Sequence, residues 1–150
     1  MRVSVIGGST VDDKTYGEAH ELGRVLAEAG HTVVCGGYYG VMEAVCRGAK
    51  KEDGTTVGVL SGDDPGAANE YVDVPVATNM GHARNALVVL NGDAVIAVDG
   101  AYGTLSEIAH ALVLGRTVVG LETHDIEGVE SAGTPKEAVE RVEAESDGQG

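Results

Sequence analysis

The stretch AVIAVDGAYGTLSE (94–107) decides how the chain is read. Its first five residues form an unbroken apolar run, short enough for a strand buried on both faces. Gly100 and Gly103 interrupt the run, and TLSEIAHALVL (104–114) continues at helical spacing until Gly115. A strand that turns through glycines into a helix is a common anion cradle, because the unpaired N–H groups of the first turn face whatever lies ahead of them. Glu107 stands one turn inside this helix, where a carboxylate would repel a phosphate. Two explanations stay open: an early helix acid that favours the dipole and caps back, or a carboxylate that acts on a ribosyl group whose phosphate sits in the loop.

Outward from this stretch the same grammar repeats. Strands are expected at RVSVI (2–6), HTVVC (31–35), TTVGVL (55–60), YVDVPV (71–76), DAVIAV (93–98) and RTVVGL (116–121). Pro75 places the fourth at a sheet edge. Helical periodicity falls at residues 14–29, 41–50, 82–90 and 104–114. Apolar strands alternating with helices predict an α/β fold, a doubly wound, Rossmann-like parallel sheet with helices on both faces. Ligands of such sheets bind at the carboxyl ends of the strands, near the point where strand order reverses. The glycine clusters GGST (7–10), GGYYG (36–40), SGDDPG (61–66) and GAYG (100–103) all fall on that rim. A single nucleotide-binding domain is read over 1–121. Residues 122–150 hold nine acids and two bases, half of the chain's net charge of −14, and are read as an acidic tail with one short helix opened by Thr134, Pro135 and Glu137.

Composition narrows the function classes. Ten basic against 24 acidic residues argue against nucleic acid as a partner. No apolar run reaches 18 residues, so no membrane partner is expected. Without a leader-like start, a cytoplasmic location is expected. Many acids, four lysines and a core without Phe or Trp suit work in concentrated salt. Cys35 and Cys46 form no CxxC pair and are read as buried free thiols, and the five histidines show no metal spacing.

A dinucleotide fits poorly. GGSTVD after the first strand lacks the third spaced glycine of GxGxxG, no acid closes the second strand, and no GxxxxGK[ST] occurs. The candidate binding residues are Gly7, Gly8 and Ser9, then Gly36, Gly37, Tyr38, Gly40 and Met42, then Gly100, Tyr102, Gly103 and Thr104. Tyr38, Tyr39 and Tyr102 suit stacking on a base or pterin, or an interface with another chain. Arg84 opens a helix where the dipole favours acids, which an anionic ligand, Glu107 or a surface pair would explain. Asn85 beside it offers hydrogen bonds.

In combination, GGYYGVMEAV (36–45), HAR (82–84) and GAYGTLSE (100–107) resemble, in order and spacing, the segments GGxxGxM, HxR and GGxGTxxE of the lysine decarboxylase-like family. That family includes the cytokinin-activating phosphoribohydrolases and the molybdenum cofactor carrier proteins, and the likeness spans about residues 2–121. By resemblance, Arg84 and Glu107 correspond to the hydrolases' catalytic pair, and Gly100, Gly103 and Thr104 to their phosphate loop. Asp99-Gly100-Ala101 stands where the hydrolases have Pro-Gly-Gly, and Arg84-Asn85 where they have Arg-Lys, which brings the chain closer to the carrier branch. The implied function is binding of a phosphorylated nucleotide or nucleotide-like cofactor, such as a phosphorylated pterin. The alternative is a nucleoside 5′-monophosphate phosphoribohydrolase that releases free base and ribose 5-phosphate and needs no cofactor. Either implies a small phosphorylated partner and a homo-oligomer, dimer or tetramer. A pyridoxal decarboxylase is disfavoured, because none of the four lysines lies on the rim.

Overall fold

The structure, a computed structural model, describes residues 1–149. Seven parallel strands form one sheet in the order β4-β3-β2-β1-β5-β6-β7. In chain order these are β1 (Arg2–Gly7), β2 (Thr32–Cys35), β3 (Thr56–Leu60), β4 (Val74–Ala77), β5 (Ala94–Val98), β6 (Thr117–Leu121) and β7 (Val129–Ser131). Chain order runs outward from β1 through β4, then returns to β5 on the other side of β1. The switch point therefore lies between β1 and β5.

The two-residue period of each strand sorts its side chains between two cores. Val3 and Val5 of β1, with Ala94, Ile96 and Val98 of β5, pack under α1 (Asp13–Glu28) and α2 (Val41–Lys51). Ile6, Val95 and Ala97 point the other way, against α3 (Asn85–Leu90) and α4 (Tyr102–Val113). The helices on both faces thus follow from strands that are apolar at every position.

α1 and α2 touch backbone to backbone. A Cβ on Gly23 would lie 1.9 Å from the Val45 carbonyl oxygen, and one on Gly48 would lie 1.8 Å from that of His20. Only glycine permits this approach.

Several elements differ from the sequence expectation. The fourth strand begins three residues late, because Thr56 and Asp73 exchange hydrogen bonds that turn residues 71–73 into β4. Pro75 does sit in this edge strand, opposite Gly58. The helix expected from residue 82 is a 3₁₀ turn over Gly81–Arg84 followed by α3.

The acidic segment beyond residue 121 requires a correction, because it completes the sheet and core. β7 pairs with β6, and α5 (Pro135–Gln149) buries Ala138, Val139 and Val142 beside α1. The spacing of those three positions gives one narrow apolar stripe, while Glu140 and Glu145 stay exposed. The expected cap is present: Thr134 Oγ1 accepts from Glu137 N at 3.1 Å, and Glu137 reaches back to Gly133 N at 2.8 Å.

Gly48→Ala is expected to destabilise the chain by roughly 2–4 kcal/mol, since α2 must move off α1 to admit the methyl group. Urea unfolding against Gly17→Ala measures it, because a Cβ on Gly17 meets nothing within 4 Å.

Candidate functional site

At the switch point, the carboxyl ends of β1, β2 and β3 and the start of α4 enclose a cavity of about 450 Å³, within the usual range of small-molecule sites. The loop after β1 contributes Gly7, Gly8 and Ser9, the loop after β2 contributes Gly36 and Tyr38, and Met42 enters from α2. Arg84 and Asn85 line it from the 3₁₀–α3 junction, and Gly103, Thr104 and Glu107 from α4.

Four expected binding residues do not line the cavity. Gly37, at φ +86°, packs under Leu60 and Gly58. Gly40, at φ +65°, precedes α2, where a Cβ would fall 2.4 Å from the Gly8 carbonyl oxygen. Gly100, at φ +117°, leaves room for the Thr104 side chain. Tyr102 is 88% exposed and does not line the cavity. Their motif positions place them beside the cavity, but backbone direction turns them from it. Sequence reading had not singled out Ser61 or Ala101, which also line it. Ser61 directly follows β3 and Ala101 lies three residues beyond β5, so the carboxyl-end rule was the available signal.

Arg84 is 8% exposed and heavily engaged. Its Nε donates to the Val59 carbonyl at 2.8 Å, its Nη2 to that of Gly36 at 3.3 Å, and its Nη1 to Asn85 Oδ1. The guanidinium also lies 5.7 Å from the centre of the Tyr38 ring. The Tyr38 hydroxyl accepts from Ser61 Oγ at 3.2 Å and Gly62 N at 3.1 Å. Burial alone would raise that phenol, but these hydrogen bonds and the Arg84 charge bring it below its ordinary value. Arg84 is thus a brace that ties the ends of β2 and β3 to the junction before α3.

α4 begins at Tyr102, two residues ahead of expectation, so Glu107 lies in the second turn and cannot cap the first. Glu107 is 7% exposed, lines the cavity and has no hydrogen-bond partner among the described residues. Burial pushes its carboxyl up to about 8, with Arg84 pulling the other way without prevailing. At neutral pH the side chain is a neutral acid.

Gly103 is glycine without a packing need: a Cβ there would find nothing nearer than Asn85 Nδ2 at 3.8 Å. The bare backbone at the start of α4 is what an anion cradle requires.

Residues 1–147 match the sequence profile of the SLOG cluster4 family. The chain belongs to this family. A relative from Archaeoglobus fulgidus is 44% identical over 140 residues, 93% of this chain and 92% of its own length. The molybdenum cofactor binding protein from the phototrophic bacterium Rippkaea orientalis is 31% identical with a TM-score of 0.91, over 97% of this chain and 96% of that one. The molybdenum cofactor carrier protein from Chlamydomonas reinhardtii is 30% identical with a TM-score of 0.87, over 95% and 96%. DNA processing protein A from Streptococcus pneumoniae, at 17% identity and a TM-score of 0.74 over 93% of this chain and 60% of that one, shares the fold alone. The likeness to the two molybdenum cofactor proteins supports a ligand-binding role for this member of the family.

The Glu107 carboxyl carries a pH signature. Between its ordinary 4.5 and its folded value of about 8, the folded chain keeps a proton that the unfolded chain has lost. Its stabilising share is therefore full below about pH 4.5, falls as pH rises and is gone above about pH 8. Wild type is expected to lose roughly a few kcal/mol relative to Glu107→Gln between about pH 5 and pH 9, measured as paired urea unfolding curves.

Proposed function

We propose that the chain binds a phosphorylated nucleotide or nucleotide-like cofactor, of the molybdenum cofactor class, and holds it without turnover. The likeness to a molybdenum cofactor binding protein across almost the whole of both chains carries this reading. The chemistry of the cavity supports it. The phosphate lies at the start of α4, against the backbone of Gly103 and the hydroxyl of Thr104. The ring system extends towards Tyr38 and Met42. Glu107, neutral near pH 7, donates a hydrogen bond to the anion instead of repelling it.

The presence of Arg84 and Glu107 in one cavity favours a second reading, the nucleoside 5′-monophosphate phosphoribohydrolase. There an ionised Glu107 would stabilise positive charge on the ribosyl carbon and activate water, with Arg84 as the orienting cation. Ionisation belongs above about pH 8 in this pocket.

Gly103→Ala separates binding from folding. Alanine favours the helix by roughly 0.5–1 kcal/mol, so stability is expected to hold or rise. Affinity for a phosphorylated pterin and for AMP is expected to fall at least about tenfold, because the methyl group stands over the cradle. Calorimetric titration reads this, and unchanged affinity for both ligands overturns the placement. Ribose 5-phosphate release from AMP or N6-substituted AMP, rising with pH and lost in Glu107→Gln, would establish the hydrolase instead.

A homo-oligomer is also proposed. Val113 and Leu114 at the end of α4 and Leu90 at the end of α3 are exposed large apolar side chains; α3 packs on α4, and Arg116, two residues beyond Leu114, donates to the Leu90 carbonyl. Light scattering is expected to give a dimer or tetramer, and Val113→Glu a smaller species.

A further inference from the structure

Behind the cavity lies a second group of reactive side chains that binding does not use. Cys35 ends β2 and Cys46 lies within α2; both are free and fully buried. Their sulfur atoms are 3.5 Å apart, against about 2.05 Å in a disulfide. Two thiols in van der Waals contact need only a small approach to bond.

The two sulfurs are not equivalent. Cys35 is held below its ordinary value, first by the hydrogen bond from the Cys46 thiol, then by the Gly37 N–H and the Arg84 charge, against burial and Glu107. The same hydrogen bond and burial push Cys46 up. The pair therefore has a nucleophile, Cys35, and a resolving partner, Cys46.

We propose that Cys35 and Cys46 form a redox-modifiable dithiol, which peroxides convert into an intramolecular disulfide that ties the end of β2 to α2 behind the cavity. The Cys35 thiolate attacks the O–O bond of hydrogen peroxide. A sulfenic acid forms, and hydroxide leaves and takes up a proton as water. The Cys46 sulfur then attacks the Cys35 sulfur, the S–S bond forms, and the displaced hydroxide leaves as water with the Cys46 proton. Two thiols and one peroxide become one disulfide and two waters. Both sulfurs are fully buried, which makes the first step slow; Gly36, the residue after Cys35, belongs to the cavity wall.

Closing the bond shifts two parts of that wall, Gly36 next to Cys35 and Met42 one turn before Cys46. That this changes ligand affinity rests on the binding reading above; formation of the bond does not.

The test treats the folded, reduced chain with hydrogen peroxide, quenches it, unfolds it and alkylates it. Loss of two hydrogens by intact mass, a Cys35–Cys46-linked peptide in the digest and reversal by dithiothreitol are expected. Cys46→Ala should stop at a Cys35 sulfenic acid trapped by a dimedone probe. Both thiols remaining free for alkylation, after exposure that oxidises a small-molecule thiol, overturns the proposal, as does a disulfide between chains. If Cys46→Ala fails to fold, the wild-type peptide map decides alone. A bond that forms but leaves AMP and pterin affinity unchanged keeps the modification site and overturns its effect on binding.

Discussion

The buried guanidinium of Arg84 is the constraint on which the site depends. A charge out of water is tolerated only when its donors are answered, and here two backbone carbonyls and the Asn85 amide oxygen answer them. The carbonyls close consecutive strands: Val59 near the end of β3, Gly36 just beyond β2. One side chain therefore fixes the separation of two rim loops and places the Tyr38 ring beside it. Removing it would leave carbonyls unpaired and Glu107 without its one favourable charge, so the cavity floor and the acid's protonation state share a cause.

Among the chain's 23 glycines, some serve packing and Gly103 serves a physically different end. Gly23 and Gly48 let two helices meet at backbone distance, and at Gly7 a Cβ would fall 2.4 Å from the Val98 carbonyl oxygen. These are packing requirements. Gly103 has ordinary space around it, yet glycine in a helix costs roughly 1 kcal/mol relative to alanine. A cost without a packing reason, at the mouth of a cavity, points to the ligand side of the ledger.

The strand pattern made most of the fold legible, because a sheet buried on both faces writes itself as apolar runs, and Pro75 marked an edge in advance. The same reasoning failed where polarity and structure part company. Among the described residues, α5 presents Ala138, Val139 and Val142 to the core, so its acids dominated the reading of residues 122–150. α4 starts at Tyr102 because its first turn accommodates Gly103, a residue that periodicity assigns to a loop. That two-residue displacement mattered more than any other, since it removed capping from the explanations for Glu107. Motif position located the cavity but not side-chain direction: Gly103 and Thr104 face it, while Gly100 and Tyr102 between the same landmarks do not.

A carboxylate beside a phosphate is repulsive only while both are charged. In this cavity burial keeps the proton on Glu107 at neutral pH, and an arriving anion would hold it there more firmly, since its charge penalises ionisation further. Under the binding reading, ligand and proton therefore reinforce one another, and the acid becomes a donor with no water required to mediate. Hydrolysis asks the opposite of the same atom: a negative charge to face a developing oxocarbenium ion, generated against both burial and the phosphate. A more solvated pocket would relieve that conflict, at the expense of the donor. With Glu107 only 7% exposed, the enclosure that suits retention of a phosphorylated ligand is the enclosure that opposes its cleavage near pH 7.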